Sequence, residues 1–279
     1  MSLSNKIDYA VIFMVDHANP NGDPLNGNRP RSDYNGYGEV SDVCLKRKMR
    51  DRLQEEGQSI FVQSDDRKID GMPSLKERIL SDTYGLGKDI FKKLSSEEIA
   101  KKACEKWYDI RAFGQLLAFR DKDAKGVSIA IRGPITVQAA YSIDPVTITS
   151  IQITKSVSGE GDGSKRGSDT MGTKHRVDKG VYLFFGSINP QLAQRTGYDD
   201  ADAAIFKRIL PRLFENDASS ARPEGSMYVK SVFWWQHNCL SGQYSSARVH
   251  RSLKVNPDGS YAVDESQTPG LKPEIIGGF

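Results

Sequence analysis

Five basic side chains fall within seven positions, Lys46, Arg47, Lys48, Arg50 and Arg52. Cations at that density are what a nucleic-acid phosphate backbone needs. Lys46 and Arg50 are one helical turn apart and project together, beside a stripe of Leu45, Met49 and Leu53. Arg47 has Asp51 four residues on, and Arg52 has Glu56, so those pairs can neutralise themselves as on any solvated helix face. Lys46 and Arg50 have no acid four residues later and are the cations expected to stay free. A loop upstream, Asn19 to Arg31, adds Asn19, Asn21, Arg29 and Arg31. Amides with guanidinium groups suit phosphate oxygens, ribose hydroxyls and base edges. Its Asn-Pro, Asn-Gly and Asp-Pro pairs are equally plain turn chemistry. A third segment, Lys155 to Lys179, carries Lys155, Lys165, Arg166, Lys174, Arg176 and Lys179, with His175, five glycines and the apolar Val157 and Met171. A basic finger with an exposed apolar residue can wedge between bases and neutralise the flanking phosphates. Four acids dilute it, as in an ordinary surface loop.

Other patterns fail on context. Gly167 to Lys174 and Gly85-Leu86-Gly87-Lys88 imitate phosphate-binding loops, but the first has Lys and Thr transposed and the second is too short. His17, His175, His237 and His250 are scattered, without metal-ligand spacing, so no metal or other cofactor is expected. Asp16 and Asp23 could place a carboxylate beside a phosphodiester, as in a metal-dependent endoribonuclease, or serve as strand-end and turn caps. Phe233-Trp234-Trp235 reads as core and not as a base-stacking platform, because its strand is continuously apolar.

The elements that position these groups follow from periodicity. Ile7 to Val15 is apolar on both faces, the pattern of a central strand. Ser41 or Asp42 caps a helix running to about Glu56, and Gly57 stops it. Ser95-Ser96-Glu97-Glu98 is a capping box inside a mostly helical stretch. From Val127 the period is two: Ile135, Val137, Ala139 and Tyr141 alternate, then Val146 and Ile148, then Ile151 and Ile153 after a slip at Thr149-Ser150 that suggests a bulge or a crossing between sheets. A strand Val181–Ile188, a helix from Asp199 or Asp200 with Pro211 in its last turn, and a strand Met227–Trp235 complete the pattern. Strand, helix, strands, helix, strand is the order of a ferredoxin-like α+β unit. One domain over residues 1–279 is expected, with insertions at 58–126 (mostly helical) and about 150–182, and an irregular tail at 256–279.

Composition sets the outer bounds. The chain has 279 residues with 39 Lys plus Arg against 36 Asp plus Glu, a formal net charge of +3. That excludes a histone-like polycation, but not a local groove of positive charge. No apolar run reaches the ~18–20 residues of a membrane span, so no membrane partner is expected. Three widely spaced cysteines argue against a disulfide framework and for a cytoplasmic protein.

With these segments together, the chain resembles the guide-RNA-binding backbone subunit of the CRISPR type I-C surveillance complex, one of the Cascade backbone families. The resemblance rests on His17-Ala-Asn-Pro-Asn-Gly-Asp-Pro24, Asn28-Arg-Pro-Arg31 and Gly38 to Leu53. Asp109 to Gly114, Arg132 to Gln138, Ser142 to Val146 and Met171 to Gly180 match it too. It implies an RRM-like palm, a helical fingers insertion and a β-hairpin thumb. It also implies head-to-tail copies along one guide RNA (crRNA), other subunits of the same complex, target DNA met through the guide, a role in antiviral defence, and no catalysis. Carried over by residue, Asn19, Asn21, Arg29 and Arg31 fall on the palm loop, and Lys46 and Arg50 on an RNA-facing helix. Arg111, Phe113 and Gln115 fall at the palm–fingers junction, and Lys155, Lys165, Arg166, Met171, Lys174, His175 and Arg176 on the thumb.

Overall fold

The computed structural model describes residues 2–119, 127–154 and 171–279. The chain enters through β1 (Ile7–Ala18) and crosses a small hairpin of β2 (Gly22–Asp23) and β3 (Arg29–Pro30). An edge strand β4 (Tyr37–Val40) then leads into helix α1 (Asp42–Glu55). Four short helices follow, α2 (Leu75–Leu80), α3 (Ile90–Lys93), α4 (Ser96–Lys106) and α5 (Tyr108–Phe113). The hairpin of β5 (Gly114–Phe119) and β6 (Val127–Arg132) returns to the sheet through β7 (Ile135–Val137) and β8 (Ala140–Pro145). Next come β9 (Ile148–Thr154), β10 (Met171–Ile188), α6 (Pro190–Thr196), α7 (Asp200–Ile209) and β11 (Met227–Gln236). The last elements are α8 (Ser246–Ser252), β12 (Leu253–Val255), β13 (Tyr261–Val263) and β14 (Glu274–Gly277).

The main sheet runs β14-β11-β1-β10-β8-β4, with antiparallel neighbours, and β7 and β9 also pair with β10. Taking β1, β8, β10 and β11 as the four strands of the unit, the fourth lies beside the first, the first beside the third, and the third beside the second. This is a ferredoxin-like α+β palm. Ser41 caps α1 by accepting from the Cys44 amide, and Leu45, Met49 and Leu53 bury its stripe against Ile7, Tyr9, Val11 and Phe13 of β1. Phe206, Ile209 and Leu213 of α7 and the turn after it close the same layer. Each such aromatic or aliphatic side chain, once buried, contributes about 1.5–3 kcal/mol. The opposite face of β1, Ala10, Ile12 and Met14, packs with Phe233, Trp235, Val249, Leu253 and Leu271. The two-faced apolar pattern of β1 therefore has two partners, and Phe233 and Trp235 are core. The helical insertion has its own nucleus of Phe61, Ile79, Ile99, Cys104, Trp107, Ile110, Leu117 and Ile129, and the expected capping box at Ser95 is present.

Four sequence expectations change. The alternation through Ile135 to Tyr141 is two strands, with the phase slipping between Val137 and Ala140, so Ala140 is buried and Tyr141 faces out. No break occurs at Thr149-Ser150, since β9 pairs without interruption from Ile148 to Thr154. The strand expected from Val181 begins ten residues earlier, at Met171, because its first part pairs with β9 outside the core and needs no apolar period. The tail expected to be irregular after Asn256 contains β13 and β14, and β14 adds to the sheet beside β11.

Candidate nucleic-acid interface

The cations of α1 are bound to acids of the protein. Lys46 Nζ donates to Asp42 at 2.9 Å, one turn back and not forward. Arg47 lies 3.7 Å from Asp51 and 3.5 Å from Asp66, and Arg52 meets Glu55 instead of Glu56. Buried Lys48 pairs with Asp217, and burial pushes its ammonium pKa down while that carboxylate opposes the shift. Arg50, expected to stay free, is largely buried: its Nε donates to Asp109 at 2.9 Å and its guanidinium lies 5.2 Å from the Phe113 ring centre. Only Lys46 of the expected pair keeps appreciable access to solvent.

The palm loop is folded by its own amides. Asn19 is buried and its Nδ2 donates to the Asn28 carbonyl at 2.7 Å. Asn21 Oδ1 accepts from both the amide and the hydroxyl of Ser41 at 2.9 Å, which fastens the loop to the start of α1. Asp23 Oδ1 accepts from the Leu25 amide at 3.2 Å and lies 3.4 Å from Arg31, the contacts of a turn cap. The exposed Asp16 and His17 contact each other at the end of β1, where His17 has φ 52°. Among the described residues no three acidic, His or Cys side chains converge as a metal-ligand set.

Arg29 connects this loop to the β9–β10 hairpin. Its Nη1 donates to Ser150 Oγ at 2.9 Å, and the same oxygen lies 2.8 Å from His175 Nδ1. Arg176 Nε donates to Asp178 at 3.1 Å, and Thr149 Oγ1 donates to the same carboxylate at 2.7 Å. The Thr149 hydrogen bond first, then Arg176, holds the Asp178 carboxyl below the usual range. Lys174 and Lys179 have no ion-pair partner among the described residues. Lys174 pairs opposite Ile151 in the β10–β9 ladder, while Ile151, Ile153 and Met171 are exposed. The described positions therefore bring Arg29, Lys174, His175 and Arg176 to one end of the palm. Lys155, Lys165 and Arg166 lie outside the described residues.

Of the junction residues, Arg111 and Phe113 are structural clamps. Arg111 grips Asp202 with two hydrogen bonds, of 2.9 and 2.7 Å, and stacks on Tyr108. Phe113 meets Phe206 edge-on at 6.1 Å, and half-exposed Gln115 donates to the Leu116 carbonyl. Gly114 follows at φ 79°, where a Cβ would collide with the backbone of Ile131 and Gly133. The Gly85–Lys88 loop, discounted above, has its Leu86 and Gly87 amides occupied by the carbonyls of Ile79 and Ser81. Sequence reasoning missed Ser150 and Thr149, whose only signal was a break in apolar alternation; Lys179, named among the basic residues of that segment, stands opposite Asp16 in the ladder. No helix among the described residues is long and apolar enough to cross a membrane.

Palm, helical insertion and protruding basic hairpin define an RRM-like protein with two insertions. Residues 5–270 match the family model for CRISPR-associated protein Cas7, and the chain belongs to that family. The resemblance carried by the sequence motifs is thereby borne out at the level of the Cas7 family. A CRISPR-associated protein Cas7 from Haloferax volcanii is 25% identical over 276 residues, covering 93% of this chain and 78% of that one. A chain of a solved CRISPR RNA-guided surveillance complex, pre-nicking, superposes with a TM-score of 0.50 at 17% identity, covering 82% of this chain and 75% of that chain, and shares the fold. A chain of a second CRISPR RNA-guided surveillance complex aligns at 0.46 and 15% identity, over 82% and 68% of the two chains.

Proposed function

We propose that this chain is a guide-RNA-binding backbone subunit of a CRISPR surveillance complex of the type I-C kind. Copies bind crRNA without reading its sequence and polymerise head to tail along it. They hold it for pairing with target DNA, beside the other subunits of the complex and in the cytoplasm. The subunit catalyses no reaction itself. The observation that carries this reading is the link from Arg29 on the palm loop through Ser150 to His175 on the hairpin, with Lys174 one residue away and unpaired among the described residues. Cations held at fixed spacing by hydroxyls and backbone contact phosphates and sugars, and those contacts position an RNA without specifying its bases. The type I-C assignment is supported by the motif blocks of the first loop and helix.

On this reading Arg29, Arg31, Lys46, Lys174, His175 and Arg176 touch the RNA, and Met171 is the apolar residue at the wedge. Asn19, Asn21, Arg50, Arg111 and Phe113 hold the surfaces in place. Titrating guide RNA over a range of salt tests it. Arg29→Ala with Lys174→Ala should weaken binding of two unrelated guides equally, and should lower the salt slope by about one for each cation removed. An unchanged slope overturns the assignment.

A further inference from the structure

The palm loop leans on a second loop, the one that joins the turn after α7 to β11. From Glu215 to Gly225 no side chain of that second loop is buried, so apolar packing does not fix its place. A carboxylate does. Asp217 Oδ2 accepts from Lys48 Nζ, on a side chain of α1 only 2% exposed, and from Arg222 Nε at 3.1 Å. A buried ammonium cannot leave its carboxylate without a large desolvation cost, so Lys48 ties the acid to the helix. The acid in turn holds Arg222, the last residue of a tight turn in which Ser219 and Arg222 exchange backbone hydrogen bonds of 2.8 and 3.1 Å.

That turn carries one end of the palm loop. The Ala221 carbonyl accepts from the Asn19 amide at 2.9 Å. Asn19 Nδ2 passes the hold on to the Asn28 carbonyl at 2.7 Å, next to Arg29. The other end is Asn21, whose Oδ1 accepts from Ser41 and whose carbonyl accepts from the Arg31 amide at 3.0 Å. Arg29 and Arg31 therefore stand on two supports. One is the first turn of α1, and the other is tied to the middle of that helix through Asp217 and Lys48.

We propose that Asp217 is a positioning residue for RNA binding: without touching RNA, it sets where the palm loop holds Arg29 and Arg31. The proposal rests on the guide-RNA reading given above. Its sign separates it from simple electrostatics. Deleting an acid near a site for a polyanion should tighten binding through charge alone. Loss of the support should weaken it.

The test uses the full chain and guide RNA. Asp217→Asn keeps the shape of the side chain and removes its charge. Guide affinity should fall about tenfold, and Asp217→Glu should restore most of it. In a chain already carrying Arg29→Ala and Arg31→Ala, the same change should cost about twofold or less, because the cations it positions are gone. In the free protein, amide exchange should quicken at Asn19 and not in the middle of β1. If Asp217→Asn does not fold, Arg222→Gln leaves the buried Lys48–Asp217 pair in place and cuts the next link. It should likewise quicken exchange at Asn19 and lose affinity only while Arg29 and Arg31 are present. Unchanged or tighter guide binding by Asp217→Asn overturns the proposal. So does Asn19 exchange as slow as in the wild type. A loss that persists without Arg29 and Arg31 overturns it too, and in Arg222→Gln would place that arginine on a phosphate. A wild-type chain that binds no guide RNA overturns the guide-RNA reading and this role with it, while faster Asn19 exchange in Asp217→Asn would still establish the support of the loop.

Discussion

Arg50 and Asp109, 59 residues apart in sequence, form a largely buried ion pair that ties the first palm helix to the helical insertion. The Asp109 carboxylate also accepts from the amides of Phe61 at 2.7 Å and Val62 at 3.0 Å, so both of its oxygens are occupied. The strongest candidate for an RNA-facing arginine in the sequence is therefore a joint between two cores.

Removing one partner of such a pair leaves the other charge buried and unpaired. Asp109→Ala should cost about 3–5 kcal/mol of stability, and Arg50→Ala a comparable amount. Urea unfolding followed by fluorescence checks this. A variant that lost RNA affinity while keeping its unfolding midpoint would show Arg50 to be a contact residue instead.

Asp8 governs acid stability. Burial tends to raise its pKa, but the hydrogen bond with His237 at 2.9 Å, then the nearby His250 and Ser246 side chains and the Lys6 ammonium, hold it well below the usual carboxylate range. A carboxyl depressed in the folded state contributes stability that is fully present above its unfolded pKa of about 4 and is lost as pH falls through the folded value. Stability should therefore fall steeply below about pH 4, and Asp8→Asn should flatten that slope while lowering stability at neutral pH. Urea midpoints measured across that range decide it.

Asp23 and Lys46 should separate structure from binding. Asp23→Ala removes a turn cap and the partner of Arg31, so it should cost about 1 kcal/mol and leave any labelled complementary RNA uncut, as in the wild type. Regular cleavage abolished by this change, with divalent metal present, would favour the endoribonuclease reading. Lys46→Ala should weaken guide binding less than Lys174→Ala does, because Asp42 already offsets its charge.

Gly114→Ala should destabilise the hairpin of the insertion by more than about 1 kcal/mol, since the new methyl meets backbone at positive φ. Loss of hydrogen-exchange protection confined to β5 and β6 is the expected signature.

The parts legible in the sequence were those set by local periodicity. The two faces of β1, the Leu45/Met49/Leu53 stripe, the Ser95 capping box and the start of α7 at Asp199 each depend on residues within a few positions of one another. Pro211, expected in the last turn of that helix, lies instead in a separate 3₁₀ turn after it ends at Ile209. What escaped was decided at a distance. The acids that claim Lys48 and Arg50, Asp217 and Asp109, come from other elements, so a search for acids one turn away could not find them. The first half of β10 escaped because its partner is β9 and not the core, which leaves glycine and charge where apolar alternation would mark a strand. The candidate site was legible as residue types, but the Ser150 link that joins Arg29 to His175 was not.

β10 is a single strand of 18 residues, from exposed Met171 to buried Ile188. At ~3.3 Å per residue it spans nearly 60 Å. From Val177 to Ile188 it is paired with β1, so the stretch from Met171 to Arg176, paired with β9, extends past that strand as an arm rooted in the main sheet. Load applied near Met171 is borne by the sheet and not by a pliant loop. A distance measured out by this arm is fixed by backbone length.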